Sequence, residues 1–340
     1  MKILCLHIAE NQASYRYRVE RFLPHWRQYG IEIHPVCIVG KNYPEKLKLA
    51  LESRHYDFVW LQRKPLAPFL VDIIASRSRL IYDFDDALYT RQTGHTGRLK
   101  STKPGSGKMV KRINHVLKKA SLVFAGSDAL AEYAEKFNPA AVRLIPTSYQ
   151  TADTDGEAIP AAANPHVTVG WIGGNGTLPY LKLIDEATSA LQRTLPGIRF
   201  SVMSGRPPEG LQTDWHFEPW SLESEKNWLR SIDIGIMPLL DDEWSRGKCA
   251  FKLIQYMAYA KPVIASAVGA NTTTVSHGRN GFLATTIEEW IAALNSLAGD
   301  SGLRKSMGAE SEKIFLSTFE RSRVQQTIAD MLHKELRQQQ

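Results

Sequence analysis

Short apolar runs alternating with amphipathic stretches, twice over and with a break between, constrain this chain more than any other feature. Lys2 to Ile8, Ile31 to Val39, Phe58 to Leu61, Arg79 to Asp83, Leu122 to Ala125 and Val142 to Pro146 read as strands. Between them a helical period marks Tyr17 to Tyr29, Tyr43 to Arg54, Pro68 to Ser76, Val110 to Ala120 and Ser127 to Phe137, with Gly30 as a stop and Ser127 as an N-cap. Short strands that are apolar throughout and separated by helices predict a parallel sheet covered on both faces.

Thr147 to Pro165 carries no hydrophobic pattern, and the alternation restarts at Val167 to Ile172. A helix over Pro179 to Leu195 follows. Further strands are expected at Ile198 to Met203, His216 to Glu218, Ile232 to Met237, Pro262 to Ala265 and Gly281 to Leu283, and the stretch from Ile287 to about Gln338 is helical and amphipathic. The expected architecture is therefore α/β, with two doubly wound, Rossmann-like domains facing a central cleft. Residues 1–150 form the first, 151–165 the linker and 166–315 the second, while a terminal helix at 316–340 packs back on the first. Ligands of such sheets bind in loops beyond the carboxyl ends of the strands, which is where chemistry is to be sought.

A length of 340 residues exceeds one ordinary core, and 43% hydrophobic with 23% charged residues excludes wholesale disorder. Cys5, Cys37 and Cys249 are widely spaced, which argues against a disulfide framework or a zinc site. The opening strand lacks a signal-peptide pattern and no run approaches the length of a membrane span, so cytoplasmic residence is the expectation. The net charge of +7 is local: Arg91, Arg98, Lys100, Lys103, Lys108, Lys111 and Arg112 fall in one segment without an acid. Its glycines and missing periodicity predict a mobile loop facing an anionic partner, such as a lipid-linked acceptor or the inner face of the membrane. It lacks interleaved aromatics and a reading helix, so nucleic acid is not expected.

Three strand ends carry candidate chemistry. Gly170-Trp171-Ile172-Gly173-Gly174-Asn175-Gly176-Thr177 follows a strand, and its glycines allow a backbone to approach a diphosphate, with Thr177 able to cap the next helix. Lys248 and Lys252 flank the start of a short helix from Phe251, whose free N–H groups attract anions. Asp83-Phe84-Asp85-Asp86 crowds three carboxylates at one strand end, suited to metal binding, proton acceptance, sugar hydroxyls or pairing with arginines. Near the first strand, Arg16 and Arg18 stand two apart on a helix start, so at most one faces a cleft; a structural pair with Asp85 or Asp86 is the plainer account.

Taken together, these pieces resemble the family 4 glycosyltransferases of the GT-B fold, retaining enzymes that use nucleotide sugars. The resemblance rests on Ser14-Tyr15-Arg16-Tyr17-Arg18, Tyr82-Asp83-Phe84-Asp85-Asp86-Ala87-Leu88, Ala125-Gly126-Ser127-Asp128-Ala129-Leu130, Gly170-Trp171-Ile172-Gly173, Asp233 to Pro238, Lys248 to Ala258 and Gly278 to Phe282. Two departures stand out. The family's paired glutamates, with seven residues between them, fall on Gly247 and Gln255, and its cleft histidine corresponds to Asp85. The basic pair that grips the diphosphate in such enzymes has no clear counterpart, leaving Lys248, Lys252 and Arg206.

The resemblance implies transfer of a sugar from a nucleoside-diphosphate sugar to a glycan, lipid-linked or other hydroxyl acceptor, with retention, in cell-surface polysaccharide or glycoconjugate synthesis. Gly173, Gly174, Asn175, Arg206, Phe251 and Gln255 are then the donor-binding residues, with Trp220 lining the base pocket. Lys248, Lys252, Asp85 and Asp86 serve catalysis, and Tyr15, Arg16 and Arg18 meet the acceptor. No metal and no cofactor beyond the donor are expected. The alternatives are a metal-dependent GT-A enzyme using Asp83 and Asp85, a nucleotide-sugar epimerase, and a non-catalytic glycan- or nucleotide-binding subunit.

Overall fold

The structure, a computed structural model, describes residues 1–9, 12–93, 100, 103–151 and 166–338. Apart from Thr151 the expected linker lies outside them, as do 94–99 and 101–102 of the basic segment. The chain divides into two compact units. Met1–Ser148, Asp242–Cys249 and Arg321–Gln340 form the first; Tyr149–Asp241 and Ala250–Glu320 form the second.

In the first unit six strands pair in parallel: β1 (Lys2–His7), β2 (Glu32–Cys37), β3 (Phe58–Gln62), β4 (Arg79–Phe84), β5 (Leu122–Ala125) and β6 (Val142–Leu144). Their order is β2-β1-β3-β4-β5-β6. Side chains alternate across the sheet as the strand period demands. Leu4, Val59, Leu61 and Tyr82 meet Leu70, Ile74, Ile113 and Val116 of the helices Pro68–Ala75 and Gly107–Lys119. Ile3, Trp60, Ile81 and Phe124 meet Phe22, Trp26, Val324 and Ile328 on the other face, the last two from the helix Arg321–Arg337. That helix is tied to the unit by Gln325 Nε2, which donates to the Phe22 carbonyl at 3.1 Å.

The second unit repeats the plan with β7 (Val167–Ile172), β8 (Ile198–Ser204), β9 (Trp215–Pro219), β10 (Ile234–Met237), β11 (Val263–Ser266) and β12 (Gly281–Ala284), ordered β12-β11-β10-β7-β8-β9 and all parallel. Counted within the unit this is the 3-2-1-4-5-6 dinucleotide-fold order. The first sheet instead reverses direction between β1 and β3. Among the described residues no helix is long and apolar enough to cross a membrane.

Several expected elements are broken. Tyr17 to Tyr29 splits into Ala13–Arg18 and a 3₁₀ stretch Glu20–Tyr29 that contains Pro24, and Pro179 likewise puts a 3₁₀ stretch, Asn175–Leu183, before the helix Asp185–Thr194. Proline removes an N–H and clashes with the preceding turn, so a regular helix cannot pass through it. Ser127 stands at the N-cap of Asp128–Glu135 without a capping bond from its side chain. The terminal stretch divides into Ile287–Gly299, Ser301–Ile314 and Arg321–Arg337, with Asp300 capping the second through Leu303 N–H at 2.9 Å.

The boundaries read from the sequence also assign 242–249 to the second domain, but these residues count with the first. Trp244 and Cys249 bury there beside Tyr82 and Ala87. Thr90 Oγ1 donates to Glu243 Oε2 at 2.8 Å, and Thr93 Oγ1 to Asp242 Oδ2 at 2.7 Å.

Candidate active site

In the first unit the carboxyl ends of β1, β3 and β4 converge where the strand order reverses, and a hydrogen-bond chain crosses that point. Gln62, at the end of β3 and wholly buried, donates from Nε2 to Ser14 Oγ at 2.5 Å. Ser14 Oγ in turn donates to Asp85 Oδ1 at 2.7 Å. Asp85 Oδ2 accepts no hydrogen bond among the described residues. The carboxylate is thus oriented by one oxygen and half-buried, with the other available.

Its two acidic neighbours are committed elsewhere. Asp83 is buried, and its Oδ1 receives Arg18 Nε at 2.8 Å and Nη2 at 2.6 Å, while Oδ2 accepts from Trp60 Nε1 at 3.2 Å. Arg18 is only 3% exposed and also reaches the Ile145 carbonyl at 3.0 Å. Burial works against the guanidinium charge, but the facing Asp83 outweighs it and leaves the Arg18 pKa above its ordinary value. Arg18 therefore braces the sheet instead of meeting an acceptor, and its partner is Asp83, neither Asp85 nor Asp86. The same pairing removes Asp83 from the carboxylate pair that a metal-dependent enzyme of the GT-A type would need.

Asp86 is gripped from two sides. Arg63 Nη2 lies 2.5 Å from Oδ2, and Lys248 Nζ 4.0 Å from Oδ1. Arg63 adopts φ 63°, a left-handed conformation that costs a non-glycine residue on the order of 1–2 kcal/mol. Its N–H donates to the Asp83 carbonyl at 2.6 Å, and its own carbonyl accepts from Tyr82 Oη at 2.9 Å. Lys248 also lies over the Trp244 ring, 5.3 Å from the centroid.

The segment 242–249 presses on this turn at two glycines. A Cβ at Gly126 would stand 2.5 Å from Cys249 Sγ, and one at Gly247 would fall inside the Ala87 methyl. Cys249 Sγ donates to the Asp85 carbonyl at 3.1 Å. Burial pushes its thiol well up, with Asp85 adding to the effect, so it stays a protonated donor at neutral pH. Tyr15 is buried in a stack on His7, ring centroids 3.8 Å apart, and half-buried Arg16 lies over Tyr17 at 5.9 Å.

In the second unit the order reverses between β7 and β10, the place where open α/β sheets take their ligands. Gly173, directly after β7, donates its N–H to the Met203 carbonyl at 3.0 Å. A Cβ there would come within 2.6 Å of the Trp171 ring and 2.8 Å of Lys252 Cε. The glycine thus makes room for the Lys252 stem, whose ammonium sits 5.4 Å from the centroid of the buried Trp171 ring. Gly174 has open space where a side chain would be, and Asn175 lies against Gly205. Thr177 caps no helix; its Oγ1 donates to the Gly174 carbonyl at 2.8 Å.

The helix carrying Lys252, Phe251–Ala258, starts from Ala250 at φ 51° with no side-chain cap. A left-handed alanine at that point is costly, and such outliers concentrate at functional turns. Tyr256 anchors the helix below: its ring packs on Gly235, its hydroxyl accepts the Ile172 N–H at 3.0 Å and donates to the Ile236 carbonyl at 3.3 Å. Gln255, on the same helix, is 3% exposed. Half-exposed Arg206 pairs with Glu209 at 3.0 Å.

Trp220 Nε1 donates to Glu225 Oε2 at 2.7 Å, and Glu225 Oε1 accepts from Tyr149 Oη at 3.1 Å. The Tyr149 ring meets Phe251 edge-on at 6.1 Å. Buried Glu225 and Tyr149 therefore connect two expected donor residues, and sequence reasoning overlooked both. The helix Leu222–Ser231 that carries Glu225 went unread, although Ser221 and Ser224 form a capping box before a Trp228-Leu229 apolar face.

Residues 168–300 match a family model described as "Glycosyl transferases group 1". No curated protein matches in sequence. Among solved structures, HepE of Anabaena in complex with UDP and glucose is 16% identical over 98% of this chain and 100% of that one, with a TM-score of 0.71. A sucrose-phosphate synthase from Thermosynechococcus elongatus is 13% identical, covers 98% of both chains and has a TM-score of 0.72. A glycosyltransferase from Rickettsia africae is 15% identical over 98% of each chain, with a TM-score of 0.69. Two parallel six-stranded sheets flanked by helices, in two Rossmann-like domains, are the build of the GT-B fold.

Proposed function

We propose that this chain is a glycosyltransferase that moves a sugar from a nucleoside-diphosphate donor to a hydroxyl of a glycan or lipid-linked acceptor, with retention of anomeric configuration and without a metal. The observation that carries the reading is Lys252, laid across Gly173 and over Trp171 at the uncapped helix start, beside the glycine turn at the strand-order reversal. It supplies a fixed cation and backbone donors of the kind a departing diphosphate needs. The family match falls on this unit, and HepE, of like fold, is also known in complex with UDP-glucose. UDP is therefore the first diphosphate to test.

In this scheme the N–H groups near Gly174 and the first turn of Phe251–Ala258 meet the diphosphate together with Lys252. Trp220, held by Glu225, flanks the base, and Gln255 faces the ribose. Lys248, which counts with the first unit and partners Asp86, is assigned to that acid instead of the diphosphate. Asp85 is the carboxylate for the acceptor hydroxyl, because Ser14 orients it and its second oxygen is available. Asp86 is a structural anchor.

Calorimetric titration with UDP, GDP and ADP is expected to show binding of one diphosphate that Lys252→Ala abolishes or greatly weakens, and turnover in that variant is expected to fall about a hundredfold. Lack of binding to any of them, or wild-type affinity in Lys252→Ala, would favour the non-catalytic alternative.

The two acids separate in a second test. Asp85→Asn is expected to lower turnover about a hundredfold or more with an unchanged unfolding midpoint. Asp86→Asn, which leaves Arg63 without its partner, is expected to lose about 1–3 kcal/mol of stability. The reverse pattern in paired activity and denaturation measurements would exchange their roles.

A further inference from the structure

We propose that one face of the first unit, built by the helices Tyr43–Glu52, Pro68–Ala75 and Gly107–Lys119, rests on an anionic lipid bilayer. Two independent features of this face point to a membrane, and neither depends on the proposed sugar transfer.

The first is charge. The helix Gly107–Lys119 buries Met109, Ile113, Val116 and Leu117 against the sheet and turns Lys108, Lys111, Lys118 and Lys119 outward, with no acid along its length. The acids on the neighbouring helices are already met. Asp72 takes both His115 at 3.0 Å and Lys119 at 3.2 Å, Glu45 faces Lys41 at 3.9 Å, and Glu52 faces Lys48 at 3.7 Å. Lys119 is thus paired, but Lys108, Lys111 and Lys118 stand exposed with no acidic partner among the described residues.

The second is an exposed aromatic pair. Tyr43 and Phe69 are 57% and 40% exposed, and their rings stack at 5.4 Å with an interplanar angle of 19°. Stacking two aromatic rings in water, away from the core, leaves an apolar plate that suits the headgroup boundary of a bilayer.

The two features share one level of the face. All three helices return from carboxyl ends of parallel strands and so run the same way, and Asp72 lies opposite His115. One turn back on each helix stand Phe69 and Lys111. Aromatics and lysines thus lie together toward the end of the sheet that carries Asp85, where a lipid-linked acceptor would be presented. A soluble polyanion without bases, such as heparin, would use the lysines but has no use for the aromatic plate.

Flotation of the full chain with vesicles decides the matter. On vesicles of phosphatidylcholine with phosphatidylglycerol, binding is expected and weakens as salt is raised; on phosphatidylcholine alone it is expected to be far weaker. Lys108→Glu/Lys111→Glu is expected to reduce partitioning at least about thirtyfold. Tyr43→Ser/Phe69→Ser is expected to reduce it about tenfold while leaving retention on heparin unchanged. The proposal fails if the unaltered chain shows no preference for anionic vesicles, if salt has no effect, or if either variant floats as the wild type does. It also fails if heparin is bound but vesicles are not.

Discussion

Replacing Asp83 with asparagine is expected to lower the unfolding free energy by about 3–5 kcal/mol. The Arg18 guanidinium would stay buried with its charge unopposed, since the Ile145 carbonyl offers only a dipole. Asp83 also accepts the buried Trp60 N–H on the same face of the sheet, so that donor would lose its charged acceptor as well. Arg18→Met is expected to destabilise by a similar amount. Arg18→Met combined with Asp83→Leu, which removes both charges, is expected to recover most of the loss, because a buried ion pair is worth little net against apolar side chains of similar size. Urea unfolding of the three variants followed by near-ultraviolet circular dichroism tests this. A loss below about 1 kcal/mol in Asp83→Asn would mean that water reaches the pair.

Gly247→Glu, which restores the first of the two acids found in the resembling family, is expected to damage the protein instead of improving it. Gly247 has an ordinary negative φ of −79°, so the backbone tolerates any residue there; the obstacle is Ala87, whose methyl occupies the space of a Cβ. Overpacking of this kind costs roughly 1–3 kcal/mol, and moving 242–249 would also disturb Lys248 on Asp86 and Cys249 on the Asp85 carbonyl. Gly247→Ala is expected to show much of the same loss, and Ala87→Gly in the same chain to relieve it. Higher turnover in Gly247→Glu with an undiminished unfolding midpoint would overturn this account and mark the missing acid as a lost catalytic group.

The strands were legible because most are apolar and buried on both faces, so Phe58 to Gln62 or Leu122 to Ala125 need no alternation to be recognised. The helices were legible in place but not in kind, since periodicity reports which face is buried and not whether Pro24 or Pro179 converts a turn to 3₁₀. In the candidate site, residue types and strand ends were readable, and the glycine turn, Lys252 and the carboxylate cluster stand out in the sequence as candidates. Roles inside the cluster were not. Asp83, Asp85 and Asp86 are equivalent by local composition, and only partners from distant segments, Arg18, Ser14 and Arg63, separate a buried brace from an oriented carboxylate and an anchor.

The amino-acid sequence by itself determined two successive parallel α/β units, the strand ends where chemistry gathers, and a basic segment of one sign. These follow from short-range periodicity and composition, which act through neighbours along the chain. Tertiary structure alone decided that the two sheets differ in strand order, that 242–249 leaves its sequence neighbours to pack on the first unit, and that Gly247 is closed to a side chain. Each depends on contacts between residues far apart in sequence. Burial of Trp244 and Cys249, and the close approach of Ala87, are set by which surfaces meet, and no local pattern encodes that choice.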